Sequence, residues 1–279
     1  MSTDTVLLVG GTGFLGSFVA ARLADRKPVL LARSTSALSV LSQEFEVRVG
    51  DLAAPLPLHG ISTLVYCASM GFGHVPALVH QLEACGVKRA IFISTTAIFT
   101  SLPSASRCVR VDAEAAVQGS SLEWTLLRPT MIYGTARDRN ISRLLRFVRR
   151  WPVFPLCGNA LWQPIYVEDL AEAVVAALDT PTCIGKAYNL AGAVPLAFGE
   201  LVRTAARAVG RQVLLMPVPI ACAIFAARLT RLVSPEQIRR LAEDKAFAIT
   251  DAARDFGFAP RTFEEGVRLE ARGLGLSSH

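Results

Sequence analysis

Short apolar runs punctuate the first half of the chain at 6–9, 29–31, 47–49, 63–66, 90–93 and 125–127, each bounded by turn-forming residues. Within these runs, apart from Arg48, the apolar residues are consecutive and do not alternate with charged ones, the pattern of strands covered on both faces. Segments with helical spacing separate them, the first at 17–25. Strand and helix in regular alternation predict a parallel sheet with helices on both sides, a doubly wound α/β arrangement. Beyond about residue 130 the pattern loosens into Pro-rich and Arg-rich stretches, then returns to a helix at 168–178 and a strand at 187–190. Two later helix starts are well punctuated. Ser234-Pro235-Glu236 offers an N-cap, a proline at the first helical position and an acid in the first turn, and Thr262-Phe263-Glu264-Glu265 has the form of a capping box. The expected division is a sheet domain over 1–134, rejoined by about 162–190, with a small, mostly helical lobe from 135–161 and 191–279.

Composition narrows the function classes. With 279 residues, 52% of them hydrophobic and 19% charged, the chain can bury a full core and is not a disordered tail. The most apolar segment, 213–227, is broken by Pro217 and Pro219, which argues against a membrane span. The start, Met1-Ser2-Thr3-Asp4-Thr5, lacks the basic and apolar regions of a secretory signal, so the expected location is cytoplasmic. Cys67, Cys85, Cys108, Cys157, Cys183 and Cys222 form no C-x-x-C pair, and the four histidines form no H-E-x-x-H arrangement. They read as reduced core thiols without a protein-held metal. The net charge of +6 is concentrated: six arginines against Asp138 alone lie between Arg137 and Arg150. No nucleic-acid reading module accompanies them, and such a patch suits one anionic ligand or surface.

The strand at 6–9 runs into Gly10-Gly11-Thr12-Gly13-Phe14-Leu15-Gly16 and then a helix. The spacing of Gly10, Gly13 and Gly16 in this strand-turn-helix position is that of a dinucleotide-binding turn in a Rossmann-type fold. Glycine permits the tight turn, lets main-chain amides approach a diphosphate and packs the helix start against the strand. An acid at the end of the second strand normally holds the ribose 2′-hydroxyl of NAD(H). Here no Asp or Glu occurs between Asp25 and Glu44, and the strand ends in Arg33-Ser34. Arg33, helped by Ser34, can pair with a 2′-phosphate, so the expected coenzyme is NADP(H) rather than NAD(H).

With these residues in place, the chain resembles the extended short-chain dehydrogenase/reductases, the NAD(P)-dependent epimerase/dehydratase group. The resemblance runs collinearly through the glycine turn, Gly50-Asp51-Leu52, Cys67-Ala68-Ser69, Ser94-Thr95-Thr96, the segments at 127–134 and 164–170, Tyr188-Asn189-Leu190 and the segment at 256–262. It implies that Thr12, Phe14 and Leu15 belong to the coenzyme turn and that Asp51 and Leu52 contact the adenine. It further implies that Cys67, Ala68, Ser69 and Ser94 border the dinucleotide cleft, that Pro129 and Thr130 lie near the nicotinamide end, and that the protein forms a homodimer.

The family's catalytic Tyr-x-x-x-Lys pair is absent. Thr95 matches its Ser/Thr partner, while the aligned helix places Ser106 at the tyrosine position, Arg110 at the lysine position and Glu114 one turn on. An arginine can keep the cationic role toward a cofactor ribose. A serine cannot replace the phenol, because its alcohol is a far weaker acid on a shorter arm. Tyr133 and Tyr166 are the candidate replacements. Expected substrate contacts are Thr96, Arg137, Arg139, Asn140 and Gln163. At 140–150, Ile141, Leu144, Leu145 and Val148 share one helical face, with Arg143, Arg146 and Arg150 on the other. The apolar segment at 218–233, tipped by Arg228 and Arg231, suits core or subunit packing, a hydrophobic groove or a membrane-surface contact. Two functions stand open. One is an oxidoreductase or epimerase acting on a carbonyl or hydroxyl centre of an anionic small molecule, phosphorylated or nucleotide-linked. The other is a non-catalytic NADPH-binding structural or redox-sensing protein.

Overall fold

The computed structural model describes residues 5–33, 45–102, 104–221 and 243–277. The chain divides into two compact units, the first made of 1–129, 167–190 and 249–258, the second of 130–166, 191–248 and 259–279.

The first unit holds a seven-stranded parallel sheet of β1 (Val6–Val9), β2 (Val29–Ala32), β3 (Val47–Val49), β4 (Thr63–Tyr66), β5 (Arg89–Ile93), β6 (Glu123–Pro129) and β11 (Lys186–Leu190), ordered β11-β6-β5-β4-β1-β2-β3. β1, β2 and β4 are buried at every position, as the unbroken apolar runs predict. Alternation along each strand sends Leu7, Val9, Leu64, Tyr66 and Phe92 into a cluster with α2 (Val75–Ala84) and α3 (Ala105–Gln118). Leu8, Leu30, Val65 and Ile91 point to the opposite face, where α1 (Phe14–Arg22) packs on α5 (Val167–Asp179). The first helix begins three residues before the expected 17–25, because the glycine turn feeds directly into Phe14. It ends in a 3₁₀ turn, Ala24–Arg26, closed by Lys27 at φ 48°.

Helix α7 (Thr250–Phe256) also belongs to this unit, although 249–258 falls in the second lobe on sequence. Its Asp255 explains the docking. The carboxylate accepts from Arg254 Nε at 2.8 Å, Lys186 Nζ at 2.8 Å and Tyr188 Oη at 2.7 Å. Those three donors hold the Asp255 carboxyl far below the usual range, while burial raises the Tyr188 phenol.

The second unit packs α4 (Ile141–Arg150), α6 (Phe198–Ala208) and α8 (Phe263–Gly273) around Tyr133, Leu145, Tyr166, Leu201 and Val267. Three two-stranded ribbons complete it: β7 (Ile132–Tyr133) with β10 (Ile165–Tyr166), β9 (Leu161–Trp162) with β12 (Leu196–Ala197), and β8 (Val153–Leu156) with β13 (Leu214–Pro217). The capping box forms as expected, with Thr262 Oγ1 accepting from Glu265 N and the Glu265 carboxylate accepting from Thr262 N at 2.8 Å. Cys85 and Cys108 are exposed and not core residues, because each sits on the outer side of its helix or its end; Cys67, Cys157 and Cys183 are more enclosed, and all five are free thiols. Cys222, Ser34, the helix start at Ser234 and the apolar segment beyond 221 lie outside the described residues. Among those residues no helix is long and apolar enough to cross a membrane, and no group of three or more potential metal ligands occurs.

Glu270 on α8 is only 1% exposed, and burial together with the neighbouring Asp138 carboxyl pushes its pKa up to about 10. Glu270 is therefore protonated at neutral pH beside the Asp138 carboxyl, whose Oδ1 accepts from the Asn140 and Ser142 amides at the start of α4. The folded form keeps a proton that the unfolded chain loses above about 4.5, so this site removes stability progressively between about pH 4.5 and about 10. Glu270→Gln keeps a donor and cannot ionise. Thermal unfolding at pH 5 and pH 9 should show the variant gaining most over the parent at pH 9; an equal pH slope in both proteins contradicts the assignment.

Candidate cofactor cleft and catalytic positions

Strand order reverses between β1 and β4, and their carboxyl ends diverge into a cleft of about 390 Å³. Eight of the expected coenzyme residues line it together: Gly10, Thr12, Gly13, Arg33, Asp51, Leu52, Cys67 and Ala68. Val9, Leu31, Ala32, Gly50, Phe72 and His74 line it as well and were not expected on sequence. Phe72 and His74 follow β4 through a 3₁₀ turn, Met70–Phe72, which no local signal aims at the cleft.

The glycines have separate geometric tasks. Gly10 takes φ +81°, and a side chain there would meet Ala68 N at 3.0 Å. Gly13 N donates to Gly10 O at 2.8 Å and caps α1, with no side chain capping the helix and no acid in its first turn. A Cβ on Gly16 would lie 1.9 Å from Gly10 O. The turn is thus a cradle held open for main-chain contact, and the bare helix end presents amides and a positive dipole to an anion. Leu15 is buried behind the turn and Phe14 opens α1, so these two form its support; Phe14 also packs edge-on against Phe18.

At the second-strand end Arg33 is exposed and lines the cleft, while Asp51 accepts from Ala53 N at 3.0 Å. Burial pushes the Cys67 thiol up to about 12, leaving a neutral sulfur in the wall. Ser69 caps the following 3₁₀ turn by accepting from Gly71 N at 3.2 Å.

Past β5, Ser94 is buried with its Oγ unpaired. Thr95 accepts from Ala97 N at 3.2 Å, and the buried Thr96 donates to Pro129 O at the end of β6. On α3, Arg110 donates to Ser106 Oγ at 3.0 Å, and its guanidinium lies against Gly71, where a Cβ would be 3.2 Å from Cζ. The two positions that the resemblance aligns with the catalytic pair therefore meet each other beside the turn that carries Phe72. Glu114 is committed elsewhere, to a nearly buried ion pair with Arg128.

Tyr133 and Tyr166 are placed differently. Tyr133 is 1% exposed, packed against Tyr166 and Phe263 with ring centroids 5.5 and 5.3 Å away, and Arg261 stacks over Tyr166 at 4.4 Å. Both serve as core side chains of the second unit. Gln163 is also enclosed, donating to Gly192 O and accepting from Phe247 N, while Thr130 donates to Gln163 O at 2.6 Å. Arg137, Arg139 and Asn140 stay exposed ahead of α4.

The NAD(P)H-binding family profile matches residues 10–181, which include the whole cradle. The chain belongs to this NAD(P)H-binding family. Within it, the chain is an extended short-chain dehydrogenase/reductase, similar to the epimerases and dehydratases, and its relatives include reductases and epimerases. It is 27% identical over 296 residues to the NAD(P)H azoreductase of Xenophilus azovorans, covering 98% of this chain and 100% of that one. To the mitochondrial NADH dehydrogenase [ubiquinone] 1 alpha subcomplex subunit 9 of Arabidopsis thaliana it is 37% identical over 113 residues, 39% of this chain but only 28% of that subunit. Among solved structures, the UDP-glucuronic acid 4-epimerase of Bacillus cereus in complex with NAD has the same fold, with a TM-score of 0.76 at 14% identity over 97% of this chain and 98% of that one.

The cradle of this NAD(P)H-binding protein has a direct test. Gly16→Ala forces a methyl into main chain and should cost roughly 1–3 kcal/mol or more of stability together with coenzyme binding. Gly11→Ala meets only the side chains of Leu30 and Leu8 and should lose much less of either. Calorimetric titration and thermal unfolding of both variants check this, and equal losses contradict it.

Proposed function

We propose that the chain is an NADP(H)-dependent reductase that transfers hydride to a carbonyl-type acceptor on an anionic small molecule, phosphorylated or nucleotide-linked. The observation that carries the reading is the cleft itself, with an open glycine cradle at one end of the nucleotide path and Arg33 where an NAD(H)-selective acid would stand. Amides of the turn would hold the diphosphate, Arg33 the 2′-phosphate, and Asp51 and Leu52 the adenine end. When bound, the coenzyme supplies the hydride.

The chain's own residues favour reduction over epimerisation. Epimerisation has to take a proton off a hydroxyl, the task of the absent phenol, and Ser106 is too weak an acid for it. A hydride acceptor that takes its proton from water needs no such group. The azoreductase relative, matched over nearly the full length of both chains, supports this choice. Thr95 and Ser94 can orient an oxygen of the acceptor, and Arg110, held against Ser106 and Gly71, supplies positive charge. Exposed Arg137, Arg139 and Asn140 are the proposed anchors for the substrate's anionic group.

A second reading is a protein that holds NADPH without turnover. It is favoured by the absence of the phenol at position 106 and by the partial sequence match to the mitochondrial NADH dehydrogenase [ubiquinone] 1 alpha subcomplex subunit 9.

The two readings part on one assay. Purified protein with NADPH should oxidise it when carbonyl, quinone or azo acceptors are offered across a panel, and Arg110→Gln should lower kcat with coenzyme affinity retained. Binding without oxidation across the panel selects the second reading. For the coenzyme, Arg33→Ala should weaken NADPH at least tenfold and leave NADH nearly unchanged, as expected for one lost charge-assisted contact. Unaltered NADPH preference in that variant contradicts the role of Arg33.

A further inference from the structure

The β8–β13 ribbon of the second unit is apolar on both faces. Its inner face is used: Phe154 packs on Phe147 and Phe198, and Leu215 packs against the helical core. The parallel register sets Leu214 opposite Val153 and Met216 opposite Pro155 on the other face. There Leu214 is 68% exposed, Met216 51% and Val153 37%, with Trp151 at 52% just ahead of β8. Parallel strands are ordinarily covered on both sides, and a single open apolar strip of this kind marks a contact surface.

Charge identifies what covers it. The stretch 139–156 contains five arginines and no acid, and 207–221 contains two arginines and no acid. Arg149 and Arg150 are exposed where α4 enters β8, Arg211 is exposed where the chain enters β13, and the Arg150 guanidinium lies 4.9 Å from the Trp151 ring centroid. A second copy of the chain docked face to face would bring these cations against their own symmetry mates. A tryptophan and arginines rimming an apolar strip match the lipid–water boundary, where the ring sits at headgroup depth and guanidiniums meet phosphates.

We propose that the outer face of the β8–β13 ribbon docks the protein onto an anionic lipid surface, with Leu214, Met216 and Val153 entering the interface and Arg149, Arg150 and Arg211 meeting the headgroups. The inference is independent of the coenzyme reading, since all these residues belong to the second unit.

The test uses the full chain and vesicle flotation. Vesicles of phosphatidylcholine with phosphatidylglycerol should retain the protein at low salt, and phosphatidylcholine alone should not. Arg149→Gln with Arg150→Gln should weaken binding by roughly fivefold for each arginine. Leu214→Ser with Met216→Ser should abolish retention while circular dichroism and coenzyme binding stay unchanged. Trp151 emission should shift to the blue on binding, with Trp151→Phe removing the shift. Absence of binding to the anionic vesicles, or undiminished binding by the Leu214/Met216 variant, overturns the proposal. So does a dimer in sedimentation that the same variant dissociates, which would assign the strip to a second copy.

Discussion

The close approach of α1 to the end of β1 is the constraint on which the site rests. Gly10 O receives the Gly13 amide and at the same time faces the Cα of Gly16 so closely that no side chain fits between them. This contact fixes the helix axis on the turn and leaves the first amides of α1 without a side-chain cap. Such amides are often satisfied by the side chain of a serine or an aspartate. Here the vacancy in the capping pattern is what a diphosphate requires, and the neighbouring positions on β2, β3 and β4 fall around it because the parallel sheet aligns their carboxyl ends.

The same sheet separates what has been kept from what has been lost. The glycine turn and the cleft that the proposed function gives to a dinucleotide are present, whereas the resemblance aligns Ser106, bonded to Arg110, with the family's acid. Loss of a proton-transfer group does not disable hydride transfer, since the two events make separate demands. The buried, unpaired Ser94 Oγ past β5 is a polar group that the proposed acceptor would satisfy.

Much of this was legible in the sequence, for reasons that differ by residue. Strands buried on both faces must be uninterrupted apolar runs, so the sheet could be read directly. The glycine turn was equally legible, because steric exclusion at Gly16 leaves one residue type. Long-range pairings were not. Nothing local to Asp255 announces that it binds Lys186 and Tyr188 and draws α7 onto the sheet, and nothing local to Tyr133 shows that Gly266 gives it room inside the second unit's core. Phe72 and His74 escaped for a similar reason: their aim is set by a 3₁₀ turn whose only sequence mark is Ser69.

The central claim is that a phosphorylated dinucleotide lies over β1–β4 on the amides of this turn. A crystal structure of the chain grown with NADPH tests it most directly. Diphosphate density on the amides following Gly11, with the adenosine phosphate beside Arg33, is the expected result. Density for the dinucleotide at any other position, or a diphosphate that avoids the turn, contradicts it.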